Sequence, residues 1–488
     1  MRRAAAVLAV VVAAALGAAA PAGAAPRTPT DVRVMSFNIW LGGDVVDFGG
    51  VVRAIQAADA DIVGLQEAEG NTGRIAKALG WPYWSDRLHV VSRYPLIDPP
   101  GAGGQYVLAQ VKPGQVFALA NEHLPSDPYG PYLVRDGKSL KQVLRNERAT
   151  RMPAARAALR GVRPALDAGI PTLVTGDFNA PSYLDWTPAT VGTRNGLRYP
   201  VAWPVSRAFA AAGFQDSYRV VHPDPVANPG ITWTFGYPFP RLRSNEVVDR
   251  IDYVHASPGV QVLDSGIAGP SGTPDVTVPI DPWPSDHRGV VSTVRLTPAV
   301  PPLYASVIDR RVEQGDPILV RYAAQPKQPR MTLRIVRHGG AADAALMQLP
   351  PQEAGYYGAV RFGSGALAPG RYDALLVDHD GDVRSRASFW VVKPGARPVL
   401  RVPASVAAKQ PTPVAWRNAP ADRFDWIGIW KAGDGDLFNY YGFAYTRARV
   451  AGHARLDGLP PGRYVARLLA DDGYAVLAQR SFTVAPRR

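Results

Sequence analysis

Apolar residues follow two different periods along the chain, and the pattern changes near residue 298. Before that point, short runs rich in Val, Ile and aromatics alternate with stretches whose apolar positions recur every three or four residues. Strands are predicted at Val32–Phe37, Ile62–Gln66, Tyr106–Val111, Val116–Glu122, Thr172–Gly176, Ile251–His255 and Gly289–Leu296, between Gly, Pro and polar punctuation. Helices are predicted at Val51–Ala58, Arg74–Leu79, Asn146–Leu159 and Ser206–Ala212. Such a mixture implies an α/β or α+β domain with packed sheets. The polar, Pro/Gly/Tyr-rich segment from Leu124 to Leu140 is expected to be a loop, long enough for a functional role.

After Pro298, Pro301 and Pro302 the helical period disappears and a repeat begins. Residues 367–381 and 459–473 are identical at nine of fifteen positions, at a constant offset of 92 (Gly370 to Gly462). Each copy has a Pro-Gly turn before one strand and an Asp-Gly turn after it. A repeat this long corresponds to a whole small domain rather than a solenoid unit. Two tandem all-β, immunoglobulin-like sandwiches are therefore expected over residues 301–393 and 398–486, behind a first domain at 27–298.

The start of the chain changes the picture of location. Arg2 and Arg3 precede an uncharged apolar run, Ala4 to Ala20, and Ala22-Gly23-Ala24 fits a small-x-small cleavage site. Residues 1–24 read as a signal peptide, and the run is short for a membrane anchor. A secreted protein is expected. The sequence has no cysteine, which excludes disulfides, thiolate metal sites and thiol nucleophiles. The net charge of +13 divides into +2 for residues 1–26, +1 for residues 27–298 and +10 for residues 299–488. The basic excess thus belongs to the repeats, where it suits a polyanion or cell-surface contact or simply a solvated surface.

Six segments of the first domain place polar residues at strand ends: Ser36-Phe37-Asn38, Leu65-Gln66-Glu67, Asn121-Glu122-His123-Leu124, Gly176-Asp177-Phe178-Asn179, Asp249-Arg250-Ile251-Asp252-Tyr253 and Pro284-Ser285-Asp286-His287. One such segment is an ordinary turn or cap. Six in one domain point to a shared edge. Water attack on a phosphodiester needs charge neutralisation, an activated water and a protonated leaving oxygen. Glu67 is a hard oxygen ligand suited to Mg²⁺, with Mn²⁺ or Ca²⁺ as alternatives. Asn38 adds a neutral carbonyl or amide, and Asp286 is a further ligand, direct or through water. Asp177 and Asn179, two apart on a turn, face the same site. His287 and Asp252 form a His–carboxylate pair suited to proton transfer. His123 is the second acid/base candidate.

The ordered set resembles the endonuclease/exonuclease/phosphatase superfamily, which includes secretory deoxyribonucleases, apurinic endonucleases, bacterial sphingomyelinases and inositol polyphosphate phosphatases. The resemblance covers nearly all of residues 31–298 and not the repeats. It implies a four-layer α/β sandwich and a divalent-metal-dependent phosphodiesterase. It implies that Glu67 is the principal metal ligand, assisted by Asn38 and Asp286. Asp177 would orient or deprotonate the attacking water, and Asn179 would hold a phosphate oxygen. One position departs from the pattern: secretory deoxyribonucleases pair a glutamate with the histidine equivalent to His123, whereas the corresponding stretch here, Gln105-Tyr106-Val107-Leu108, has no carboxylate. Glu122 is a poor substitute, because neighbours on a strand face opposite ways.

Substrate contacts are expected from Tyr129 and Tyr132 in the loop after His123, from Trp233 and from Arg250. Trp233, Phe235, Tyr237 and Phe239 alternate and would share one face if extended, with Arg241 and Arg243 following. Core packing, base stacking and a lipid-interface wedge all suit such a run; Pro238 and Pro240 favour an exposed loop. Nucleic acid is the leading substrate expectation. A lipid or small phosphate ester is the alternative within the same chemistry, and a catalytically silent wall- or polyanion-binding protein is the alternative outside it.

Overall fold

In the strand Thr30–Asn38, Val32 and Val34 face a core between two sheets, while Met35 and Phe37 face helices on the other side. The alternation recurs in neighbouring strands and always in the same sense. Phe117 and Leu119 point between the sheets and Val116 and Ala118 point outward; Leu173 points in and Val174 out; Val254 and Ala256 point in and Tyr253 out. A side-chain period of two makes each strand two-faced, so both faces must be covered.

A computed structural model describes residues 27–99, 104–112, 114–307, 309–324, 331–350, 357–437 and 439–486. The leader expected at residues 1–24 lies outside the described residues. Among the described residues, a seven-stranded sheet runs in the order Val276–Pro279, Gln261–Gly269, Gly289–Leu296, Thr30–Asn38, Ile62–Gln66, Val90–Ser92, Tyr83–Ser85. A six-stranded sheet faces it: Leu96–Ile97, Val107–Lys112, Gln115–His123, Thr172–Asp177, Asp252–Ala256, Gln215–Asp216. Helices Phe48–Ala57 and Thr72–Leu79 cover the first sheet through Val51, Ile55 and Ile75. Helices Met152–Asp167 and Pro204–Ala211 cover the second through Ala155, Val162 and Phe209. This is the four-layer α/β sandwich.

Two all-β sandwiches follow. Each pairs a three-stranded with a five-stranded sheet, and the strand order repeats: Thr332–Arg337 in the first occupies the place of Trp426–Lys431 in the second. Their cores are separate, built around Ile318, Tyr322 and Phe389 in one and Ile427, Tyr464 and Phe482 in the other.

Three local expectations change. The helix expected over 146–159 is two helices, Leu140–Thr150 and Met152–Asp167. Pro153 lacks an amide hydrogen and is tolerated only in a first turn, so the second helix starts there. Part of the expected loop folds as the helix Gly130–Arg135. The aromatic run 233–239 is not a strand with one aromatic face. Trp233 makes isolated bridges to Asp249 and His287, and beyond it Pro238 and Pro240 donate nothing to a ladder.

Candidate active site

Along the inward-facing rows, apolar residues give way to polar ones toward one end of the sandwich. Val32 and Val34 are followed by Ser36 and Asn38; Phe117 and Leu119 by Asn121 and His123; Leu173 by Thr175 and Asp177. The first polar layer bolts the sheets together. Asn121 donates to Leu65 O at 2.6 Å and Leu88 O at 3.0 Å, Gln66 Nε2 donates to Asn121 Oδ1 at 2.7 Å, Thr175 Oγ1 donates to the same oxygen at 2.9 Å, and Gly176 N donates to Ser36 Oγ at 2.9 Å. Burying these groups is tolerable because they satisfy one another.

The next layer carries the candidate chemistry. Sheet register sets His123, Asp177 and Asp252 side by side on three adjacent strands. Asp177 Oδ2 lies 3.7 Å from His123 Nε2 and 3.7 Å from His287 Nε2. His287 Nδ1 hydrogen-bonds Asp252 Oδ2 at 3.0 Å. Asn38 Nδ2 donates to Glu67 Oε1 at 3.0 Å and Asp177 Oδ2 at 3.1 Å. Ser285 Oγ donates to Asn38 O at 2.7 Å and accepts from His287 N, which ties the His287 loop to the first strand. Asn179 N donates to Asp177 Oδ1 at 2.8 Å. Trp40, Glu67 and Asn179 all have left-handed backbone (φ 59°, 55° and 47°), a strain concentrated around this cleft.

Electrostatics follow from burial. Burial and then Asp252 raise the pKa of Asp177. Burial, with Glu67 nearby, raises Asp286 to about 7. Burial disfavours a charge on His287, but Asp252, Asp177 and Asp286 outweigh it and lift the ring to about 10. The carboxylates of Glu67, Asp177 and Asp286 line one cavity, and none of the described residues lining it is Lys or Arg. Asp252 Oδ1 and Asp286 Oδ1 are buried without a hydrogen-bond partner. Ligating atoms of Asp177, Asp252 and His287 also come within 4.8 Å of one another. Excess carboxylate with free buried oxygens suits a hard divalent cation. Glu67 accepts from Asn38 Nδ2 and Leu41 N, and Asp177 from Asn38 Nδ2 and Asn179 N, so the oxygens without a hydrogen bond are Asp252 Oδ1 and Asp286 Oδ1.

The structure corrects several expectations of role. Asn38 Oδ1 accepts from Trp40 N at 3.0 Å, so Asn38 presents its amide to the carboxylates and is the clamp between them rather than an oxygen ligand. Arg250 is fully buried and bonds Asp216 at 2.7 Å and Asp185 at 2.9 Å, so it supports the fold and cannot reach a substrate. Tyr129 is buried and hydrogen-bonds Asp249, and Tyr132 donates to Glu246. Both rings instead pack against Trp233, with centroids 5.3 and 6.4 Å away. Trp233 does line the cavity and donates to Asp286 Oδ2 at 3.2 Å.

The carboxylate that His123 lacks within its own domain comes from the second β-sandwich. His123 Nδ1 is 2.6 Å from Asp472 Oδ2, and Asp472 also accepts from Tyr445 Oη at 2.7 Å. Burial opposes the charge on His123, yet Asp472, Asp177 and Glu67 raise it to about 10. The neighbouring Asp471 lies 2.6 Å from buried His89, and Arg423 bonds Glu122 at 2.5 Å. Asp471 and Asp472 are both left-handed (φ 51° and 64°), a conformation Asp tolerates better than most residues. Trp426, Tyr440, Phe443, Tyr445 and Tyr474 line a cavity of about 250 Å³ together with Glu67, His123, Asp177, Asp286 and His287. Sequence reasoning missed these aromatic residues. A signal existed: one face of the strand Thr332–Arg337 carries Thr332, Arg334 and Val336, where the second repeat has Trp426, Gly428 and Trp430. A strand face that turns aromatic in one copy of a duplication has acquired something to cover.

Residues 35–287 match the Endonuclease/Exonuclease/phosphatase family. An uncharacterized protein of Caenorhabditis elegans is 29% identical over 296 residues, spanning 54% of this chain and 91% of that protein. Among solved structures, the endonuclease/exonuclease/phosphatase from Beutenbergia cavernae aligns over 74% of this chain and 99% of its own, at 20% identity and a TM-score of 0.35. An AP endonuclease from Archaeoglobus fulgidus aligns over 54% and 98%, at 15% identity and a TM-score of 0.36.

Proposed function

The chain belongs to the endonuclease/exonuclease/phosphatase family through residues 35–287, and on that premise we propose that it is a secreted, divalent-metal-dependent phosphodiesterase whose active site is completed by its second β-sandwich. The observation that carries the reading is Asp177, held between two imidazoles at 3.7 Å beside the carboxylates of Glu67 and Asp286. A metal ion held by Glu67 and Asp286, Mg²⁺ by the chemistry of the donors, would neutralise phosphate charge and polarise the phosphorus. Asp177 orients the attacking water and takes its proton. Asp252 fixes the tautomer of His287, so that its Nε2 faces the reacting phosphate with a proton to share. Asn179, on the cavity wall, spends one amide N–H on Leu124 O at 3.0 Å and keeps the other for a phosphate oxygen. Asp472 holds His123 with its Nε2 toward the cleft, where it protonates the leaving oxygen or steadies the developing charge. The segment at residues 1–24 supports export.

A cavity of about 250 Å³ suits a single phosphate and its neighbours rather than a duplex. Trp40, Trp233 and Tyr474 on its rim suit a stacked base, which favours single-stranded nucleic acid. The second reading, a lipid or small phosphate ester, is favoured by the lack of Lys or Arg among the described lining residues. The full chain assayed with Mg²⁺ against single-stranded DNA, RNA, sphingomyelin and inositol phosphates separates them. Turnover of nucleic acid that stops with EDTA and in Glu67→Ala supports the first reading. Turnover of lipid or inositol phosphate alone replaces it with the second. No turnover of any substrate, or activity unchanged in Glu67→Ala, sinks the enzyme assignment.

A further inference from the structure

On the other side of His123 lies a second and larger cleft, about 510 Å³, between the catalytic domain and the second β-sandwich. It shares His123, Leu124, Pro125, Phe443 and Tyr445 with the catalytic cavity, so the two adjoin. Their charge is opposite. The catalytic cavity is acidic, whereas this cleft is lined by Arg423, Arg447, Arg449, Arg455 and His453. Its acids are few: Glu122 is already paired with Arg423, and Asp457 is exposed.

Arg447 and Arg449 are exposed; Arg449 O accepts from Trp416 Nε1 at 2.9 Å, but among the described residues no hydrogen bond or ion pair engages either guanidinium. Partial burial and then the like charges of Arg449, Arg160 and Arg423 depress the pKa of Arg447, with no carboxylate acting the other way. Arg447 and Ala448 are consecutive left-handed residues (φ 57° and 55°). Neither is a residue type that favours this conformation, and such strain persists where surrounding structure imposes it, commonly at ligand sites. Clustered guanidinium groups that repel one another at the mouth of a cleft are stabilised by an anion, and their planar forks match phosphate oxygens.

We propose that this cleft is an anion subsite, which takes a second phosphate group of the substrate while the scissile phosphate lies in the catalytic cavity. The inference rests on the phosphodiesterase reading above and narrows it. The preferred substrate carries at least two phosphates, and Arg447 and Arg449 contact the one that is not cleaved. A single strand of nucleic acid and a compact bisphosphate both present this chemistry. The arrangement also gives the basic charge of the C-terminal half a place to act.

The test uses the full chain and the double variant Arg447→Asn, Arg449→Gln. Asn is chosen at 447 because it accepts left-handed backbone. Arg449→Gln alone, at an exposed position, is the second variant should the double one misfold. In EDTA, where no turnover occurs, binding of inorganic tripolyphosphate is measured by calorimetry. Loss of charge-assisted contacts is expected to weaken binding by about ten-fold or more. Equal binding by wild type and variant overturns the subsite whatever the enzyme's activity.

With Mg²⁺, kcat/KM is compared for TpT against pTpT, and for inositol monophosphate against inositol bisphosphate. Wild type should prefer the two-phosphate member of at least one pair. That ratio should fall about ten-fold in the variant, mainly through KM. The pair that shows the effect identifies the source of the second phosphate. A wild type without the preference, or a variant that keeps it, overturns the proposal. If wild type turns over none of the four, the nucleic-acid and inositol-phosphate readings fail, and the tripolyphosphate result still decides whether the anion site exists.

Discussion

Two imidazoles and an amide share one buried carboxylate oxygen: Asp177 Oδ2 faces His123, His287 and Asn38 Nδ2 within 3.7 Å. Such a group gains nothing for folding, because a carboxylate stripped of water is costly unless paired. Its arrangement is understandable as preorganisation for charge that arrives with substrate. Glu67→Ala should therefore abolish turnover, by about 10²-fold or more in kcat, while leaving the melting midpoint unchanged or higher. Thermal melts and initial rates check both halves. Asp472→Asn keeps the shape of the residue that orients His123 and removes its charge. A fall of about 10- to 100-fold in kcat, with little change in KM, is expected. A variant with wild-type kcat would show that His123 needs no partner from the second sandwich. Arg250 behaves differently. Arg250→Ala leaves Asp216 buried without its ion pair and Asp185 with Arg219 alone, so it should destabilise the fold by about 3–5 kcal/mol in a urea titration. Unchanged stability with raised KM would restore Arg250 to the substrate.

At the scale of elements, the period-two alternation made the sheets legible, because apolar and polar positions separate cleanly wherever one face meets the sandwich core. The strand-end segments were legible for the same reason: Asn38, Asp177 and Asp252 continue the inward rows beyond their apolar part, whereas Glu67 is one residue out of phase with Ile62, Gly64 and Gln66 and follows a break to left-handed backbone (φ 55°). What the alternation does not contain is partnership between distant turns. Nothing local in Asp471-Asp472-Gly473 tells that this turn meets His89 and His123, since the equivalent Asp380 of the first repeat is exposed. Arg250 was misread because a charged residue in a polar segment looks the same in sequence whether its partners are Asp185 and Asp216 or a substrate. Gly64 also looked incidental. A Cβ there would stand 2.0 Å from Thr175 Oγ1 and 2.5 Å from Asn121 Oδ1, inside the polar layer that joins the sheets. Gly64→Ala should cost about 1–3 kcal/mol in chemical denaturation through overpacking. A neutral result would mean that the polar layer yields without loss.

At the scale of the molecule, the 2.6 Å contact of Asp472 with His123 depends on how the second sandwich is docked, and the docking turn is built on an acid held against its nature. Asp425 Oδ1 accepts from Asp471 N and Oδ2 from Asp422 N, both at 3.2 Å, and Phe424 O accepts from Asp472 N at 2.9 Å. These bonds set the turn that carries Asp471 and Asp472 into the catalytic domain. Burial and then Asp422 raise Asp425 from 3.8 to about 8, and burial and Asp471 raise Asp422 to about 6. A carboxyl whose pKa is higher folded than unfolded binds its proton more tightly in the native state. Its contribution to stability is present at low pH and is lost as pH climbs from about 4 to about 8. The melting midpoint of the full chain should accordingly decline across that window. Asp425→Asn removes the titration but keeps one acceptor for Asp471 N. The variant should be the less stable protein near pH 5, where it lacks an ideal partner for Asp422 N, and the equal or more stable one near pH 8. Crossing melting curves, measured from pH 4 to 9, are the expected result; parallel curves would mean that Asp425 does not control the docked turn.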